Sequence, residues 1–215
     1  MRSGGNQVVL RQPHCLAWPV ISSDVFHDQP ILTGPRVRLE PLGSEHFEGI
    51  WPMHAEPEGK RLTGTHQQFT EDQARRWLAT RQDHRDRADW AIVRHEDDVV
   101  LGEAVLNELD EHNASVSFRI SLVGPHVFGR GYGTEATRLV VDYAFDVAGL
   151  HRIQLEVYDF NPRAQRVYEK CGFIREGIHR DALRWEGQWR HAIGMAILST
   201  DPRPSSTETL ARPPH

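Results

Sequence analysis

The chain has 215 residues, 39% hydrophobic and 26% charged, with a formal net charge of −5. That suits one domain with a real core and lacks the basic tract that a nucleic-acid-binding function needs. No run approaches the about 18 apolar residues of a membrane span. Val8-Val9-Leu10 runs straight into Arg11, Gln12 and Pro13, so no signal peptide is expected. Cys15 and Cys171 make no disulfide framework, which leaves a cytoplasmic location by default.

Residues 1–30 carry Pro13, Pro19 and Pro30 without sustained periodicity and read as an N-terminal extension, with Leu16, Trp18 and Val20 as its packing residues. A first strand is expected over 36–41. Ser44 is placed to cap a helix carrying Phe47, Ile50 and Trp51, and Pro57 with Gly59 reads as a break. Thr70-Glu71-Asp72-Gln73 is a capping box opening a helix with Ala74, Trp77 and Leu78 inward. Strands follow at 90–94, 99–106 and 115–122, separated by turns at Asp97-Asp98 and Glu111-His112-Asn113. In the last strand Val116, Phe118, Ile120 and Leu122 share one face, and Ser115, Ser117, Arg119 and Ser121 the other.

Phe128-Gly129-Arg130-Gly131-Tyr132-Gly133-Thr134-Glu135-Ala136 then places three glycines at alternate positions beside a cation. Ala136, Leu139, Val140, Tyr143, Ala144 and Val147 follow at helical spacing, with Gly149 as the stop. A helix opening on such a loop turns unpaired N–H groups and its positive dipole end toward a ligand, the arrangement that holds a pyrophosphate. The run is not a P-loop. Its GxGxG spacing and late position also differ from a dinucleotide fingerprint, which follows a first strand. Strand spacing returns at 152–158, with Ile153, Leu155 and Val157 on one face. Asn161-Pro162 caps and starts a helix that ends at Gly172. Strands at 174–182 and 190–198 form a hairpin around Glu186-Gly187, and residues 201–215 read as a disordered tail. Hairpins first and crossover helices later predict an α+β fold with a mixed sheet over 31–200.

The glycine loop and the later run Asn161-Pro162-Arg163-Ala164-Gln165-Arg166-Val167-Tyr168-Glu169-Lys170-Cys171-Gly172-Phe173, a strand and a helix apart, together resemble the GNAT superfamily of acyl-CoA-dependent N-acetyltransferases. Gly131 to Ala136 and the hairpin residues Gly187-Gln188-Trp189-Arg190 resemble most the branch of ribosomal-protein N-terminal alanine acetyltransferases. Two positions depart from the family pattern: Phe128, where many members carry Gln or Arg, and His191, where Asp is frequent after the Trp-Arg pair.

The resemblance implies a mostly antiparallel, twisted sheet flanked by helices, splayed in a V between its fourth and fifth strands, with acetyl-CoA as co-substrate. Main-chain groups over Gly129, Arg130, Gly131, Tyr132, Gly133 and Thr134, flanked by Phe128, would take the pyrophosphate. Main-chain groups of Ile120 and Leu122 would meet the pantetheine and acetyl carbonyl, an N–H within 120–123 stabilising the oxyanion. Asn161 and Arg163 would complete the cofactor site, and Tyr168 would be the general acid for the CoA thiolate. Glu103 is the first candidate base, with Ser121 and Glu156 as alternatives. Trp51, Trp185 and Trp189 are candidate acceptor walls, and Glu108, Asp110 and Glu111 candidate attractors of an ammonium. Thirteen scattered histidines without HExxH or CxxC give no metal site. The acceptor expected from this branch is a protein or peptide N-terminus. A small-molecule amine (aminoglycoside, polyamine or amino-acid-like metabolite) and a non-catalytic CoA-binding module are the alternatives, in a monomer or homodimer without nucleic-acid or membrane partners.

Overall fold

The computed structural model describes residues 21–204; the readings for 1–20 and 205–215, among them Leu16, Trp18, Val20, Cys15 and most of the tail, lie outside the described residues. One eight-stranded sheet runs through the molecule. Its strands are β1 (Leu32–Thr33), β2 (Val37–Pro41), β3 (Ala88–Arg94), β4 (Val100–Asp110), β5 (Ser115–Leu122), β6 (Arg152–Tyr158), β7 (Ile174–Trp185) and β8 (Gln188–Leu198). Their spatial order is β1-β2-β3-β4-β5-β6-β8-β7, and every neighbouring pair is antiparallel except β5 with β6. The helices are α1 (Phe47–Ile50), α2 (Pro57–Thr63), α3 (Glu71–Ala79), α4 (Tyr132–Asp142) and α5 (Pro162–Lys170). α1 packs on β4, α2 spans β5 and β6, α4 crosses β2, β4 and β5, and α5 lies against α4. The α+β class, with a mostly antiparallel sheet, is the one expected.

The core forms because each element buries the face its sequence period supplies. Ile153, Leu155 and Val157 are buried while Gln154 and Glu156 are exposed. Trp90 is fully buried, its indole N–H donating to the Pro30 carbonyl at 3.1 Å and its ring meeting Tyr143 edge-on at 5.3 Å. Phe26 is fully buried as well, so residues 21–30 of the expected extension contribute to the core. Thr70 and Gln73 make the capping box at 3.2 and 2.9 Å. At the other end of the chain, Arg203 pairs with Asp142 and Asp146 at 3.1 and 2.8 Å.

Four local readings change. Pro57 and Gly59 do not break the chain but start α2: Pro57 sits in the first turn, where its missing N–H costs nothing, and the Glu56 carboxylate accepts from the Gly59 N–H. The helix then ends at Gly64, with φ 65°. Ser44 does not cap the helix that carries Phe47 and Ile50: it begins a 3-10 turn capped at Gly43, whose N–H donates to His46 Nδ1 at 3.2 Å, and that turn leads into α1 through His46. Val147 does not continue the apolar stripe of α4. A π-turn over Tyr143–Val147, closed by Ala148 N–H to Tyr143 O at 2.9 Å, inserts extra arc, so Val147 turns out to 71% exposure and Ala148 turns in. The final hairpin tightens to a two-residue turn with Glu186 and Gly187 both at positive φ, 49° and 80°, and β7 reaches Trp185 rather than 182.

Candidate active site

β5 and β6 share three register pairs, Ser115 with Arg152, Val116 with Ile153 and Ser117 with Gln154. Beyond these β5 continues to Leu122 and β6 to Tyr158 without further pairing, so the sheet opens into a V. Counted from β2, the opening lies between the fourth and fifth strands. A cleft of about 920 Å³ fills it, reaching from the glycine loop past α5 to the β6 face that carries Gln154, Glu156 and Tyr158.

Pairing also decides which main-chain groups face the cleft. The Val123 N–H donates to Leu101 O at 2.9 Å. Antiparallel pairing alternates, so Ser121 and Arg119 turn their main-chain groups to β4, while those of Ile120 and Leu122 face the opening. Within 120–123 the N–H of Val123 is thereby removed as an oxyanion donor.

The loop is fastened from a distance. Arg36, just before β2, donates from Nε to Glu135 at 2.8 Å and from Nη1 to the Arg130 carbonyl at 2.9 Å. Glu135 also accepts from the Arg36 and Val37 N–H groups at 2.7 and 3.0 Å. Gly129 and Gly131 have φ 73° and 85°, closed to most side chains, and a Cβ on Gly131 would sit 2.9 Å from Arg36 Nη2. Gly133 is different. A Cβ there would meet nothing nearer than Leu122 Cδ1 at 3.9 Å, so the fold does not require glycine, and helix propensity disfavours it. What glycine preserves is free space on the cleft, beside an α4 N-terminus that has no side-chain cap. Arg163 lies over the Phe128 ring at 4.0 Å, and both line the cleft.

Ile120, Ser121, Leu122, Phe128, Gly129, Gly131, Tyr132, Gly133, Thr134, Asn161, Arg163 and Tyr168 all line this one cleft. Arg130 does not: it is exposed and contributes its carbonyl to Arg36. Asn161 Oδ1 accepts from the Ala164 N–H at 3.1 Å, so its cap role occupies the oxygen. Tyr168 is buried, packed on Phe173 and edge-on to Phe118 at 5.8 and 6.4 Å, and its hydroxyl has no partner among the described residues. Burial and the neighbouring Cys171 push the phenol above its ordinary range. Cys171 donates weakly to Thr134 O at 3.6 Å, and burial raises its thiol to about 12, which makes it inert.

Glu103 does not line the cleft. It sits across the β4–β5 ladder from Ser121, which does, and its Oε2 is shut off from solvent without a hydrogen-bond partner. Desolvation lifts its carboxyl to about 7; Arg119 pulls it down, Asp89 pushes it up, and Arg87 and Arg81 pull it down. The expected acceptor walls are elsewhere: Trp51 stacks on Phe47, Trp185 on His66, and Trp189 is 59% exposed. None of the three lines the cleft, nor do Asp110 and Glu111; Asp110 is engaged with the N–H groups of its own turn. Glu108 and Glu156 do line it. Arg36 escaped sequence reading because it meets Glu135 across 99 positions, with no local signal at either end.

A profile of the acetyltransferase (GNAT) domain matches residues 36–174. The protein named Probable N-acetyltransferase YjcK, from Bacillus subtilis, is 37% identical over 112 residues, 52% of this chain and 62% of that protein. Spermidine N(1)-acetyltransferase from Vibrio cholerae is 31% identical over 101 residues, 47% of this chain and 58% of that protein. The chain thus spans about three-fifths of the length of these curated relatives. The crystal structure of spermidine N-acetyltransferase from Vibrio cholerae in complex with CoA and spermine superposes with a TM-score of 0.71 at 21% identity, covering 78% of this chain and 98% of that one. The fold likeness agrees with the opened sheet, and the profile spans the glycine loop and the Asn161 helix alike: this chain belongs to the GNAT acetyltransferase family.

Proposed function

We propose that this protein transfers an acetyl group from acetyl-CoA to the primary amine of a small molecule by direct attack, without an acyl-enzyme. The observation that carries this reading is the continuous cleft through the opened sheet. It joins the uncapped α4 N-terminus at one end to a polar strand face at the other, with Tyr168 between them.

In this reading the N–H groups over 129–134 and Arg163 hold the pyrophosphate. The free space beside Gly133 receives it, and the Ile120 or Leu122 N–H stabilises the negative charge developing on the acetyl carbonyl. The amine lone pair forms the N–C bond as the C–S bond breaks. The sulfur takes the Tyr168 proton, because burial keeps that phenol protonated and fits it to donate rather than accept. The proton lost by the amine is taken by Glu103 through a water at Ser121, because Glu103 pairs with Ser121 across the ladder and does not line the cleft, and no hydrogen bond joins the two side chains. A carboxyl near 7 is poised for that task at neutral pH.

The small-molecule acceptor draws support from the spermidine acetyltransferases among the relatives. A peptide N-terminus is the second reading, favoured by the wording of Gly131 to Ala136 and the Gly187–Arg190 hairpin. Thiol release from acetyl-CoA across polyamines, amino acids, aminoglycosides and N-terminal peptides separates the two. Activity confined to peptides would overturn the small-molecule reading, and absence of CoA binding by calorimetry would overturn the whole. Gly133→Ala should weaken CoA binding about tenfold while leaving Tm unchanged or higher, because the methyl enters the cleft and not the core. Unchanged CoA affinity in this variant would remove the pyrophosphate from that position.

A further inference from the structure

The β4, β5 and β6 residues that line the α2 side of the cleft carry four charged side chains, Glu108, Arg119, Arg152 and Glu156, and two of these have partners. Arg152 pairs with Glu176 through two contacts of 2.8 and 2.5 Å, and Glu156 pairs with His179 at 2.9 Å. Glu108 and Arg119 remain without an ion pair among the described residues, and both line the cleft. Glu108 is held by a hydrogen bond from Ser117 Oγ at 2.7 Å. It sits at positive φ, 59°, where the β4–β5 register jumps from Asn107–Ser117 to Asp110–Ser115. Arg119 is exposed, pairs in register with Val105, and directly precedes Ile120, whose main chain faces the opening. Ser117 and Arg119 are one strand repeat apart, about 7 Å. Glu108 and Arg119 thus place one anion and one cation, neither in an ion pair among the described residues, a short distance apart beside the strand whose main chain faces the opening.

We propose that the acceptor is a primary amine that also bears a carboxylate, of amino-acid type, with Arg119 holding the carboxylate and Glu108 facing the amine end; this rests on the acetyl-transfer reading above. A polyamine brings only cations, which Arg119 repels, and an uncharged amine leaves it only the buried Glu103 carboxyl, with which it makes no ion pair among the described residues. A carboxylate matches its planar fork with two charge-assisted hydrogen bonds. Arg119 is in this account a specificity-determining residue, not a catalytic one.

The test is a panel of free amino acids, the corresponding amino-acid amides, and spermidine. Each is titrated by calorimetry into CoA-loaded protein and assayed in parallel for thiol release from acetyl-CoA. The wild-type protein should favour at least one amino acid over its amide by about tenfold or more. Arg119→Ala should erase that ratio and raise activity on spermidine, and Arg119→Lys should restore part of the ratio. Acid and amide are read at one pH, so any change in Glu103 ionisation cancels in the ratio. Three results would overturn the assignment: spermidine preferred by the wild-type protein, amides bound as well as acids, or a ratio that survives Arg119→Ala. Thiol release with amines regardless of carboxylate sinks only this inference; loss of CoA binding in the wild-type protein sinks the acetyl-transfer reading beneath it.

Discussion

Replacing Tyr168 by phenylalanine is expected to lower kcat for acetyl transfer about 100-fold, the usual scale for removal of a general acid. Affinity for CoA should stay within about threefold, because the ring remains packed on Phe118 and Phe173 and only the hydroxyl is lost. The hydroxyl has no hydrogen-bond partner among the described residues, so stability should be unchanged or slightly higher. Single-turnover kinetics with acetyl-CoA, alongside calorimetry with CoA, reads both quantities. A fall in CoA affinity as large as the fall in kcat would make Tyr168 a structural residue. Full activity would leave the thiolate to be protonated by water.

Glu103→Gln is expected to lower kcat/KM by about 100-fold and to remove an acid limb near pH 7 from the pH profile. The same substitution should alter stability in a pH-dependent way. The folded carboxyl, raised from 4.5 to about 7, holds its proton more tightly than the unfolded chain does. Stability therefore falls as pH rises from about 4.5 to about 7 and levels off above. The full penalty is about 3 kcal/mol for ionising a group in that setting. The Gln variant should match the wild-type protein in Tm near pH 4 and exceed it at pH 8. Parallel Tm curves across that range would show that Glu103 titrates normally. Retained activity with an unchanged pH profile would remove it as the base.

Much of the molecule was readable from local pattern because the physics involved is local. The alternation of Ile153, Leu155 and Val157, the Thr70–Gln73 capping box and the Asn161-Pro162 helix start each depend on residues within a few positions of one another. So do the glycines of the loop, two of which hold φ values that side chains resist. Where one residue type serves two local structures, pattern misled: Pro57 and Gly59 punctuate a break and a helix N-terminus equally well, and context decided for the helix. The phase of α4 was misread for a related reason. A π-turn changes the residue count per turn without a composition signature, and it carried Val147 to the surface.

The primary sequence was sufficient for the class of sheet, for the glycine turn that opens α4 and for Asn161 and Tyr168 on one short helix, since backbone propensity and hydrophobic period act over short range. Tertiary structure alone decided that Arg36 would pin the glycine loop, that the Val123 N–H would be spent on β4, and that Glu103 would lie across the ladder from Ser121, its Oε2 without a hydrogen bond among the described residues and its carboxyl raised. It also left Arg119 and Glu108 in the cleft without an ion pair among the described residues, while Arg152 met Glu176. Hydrogen-bond register, desolvation and charge pairing depend on which distant strands meet, and that is set only when the whole sheet assembles.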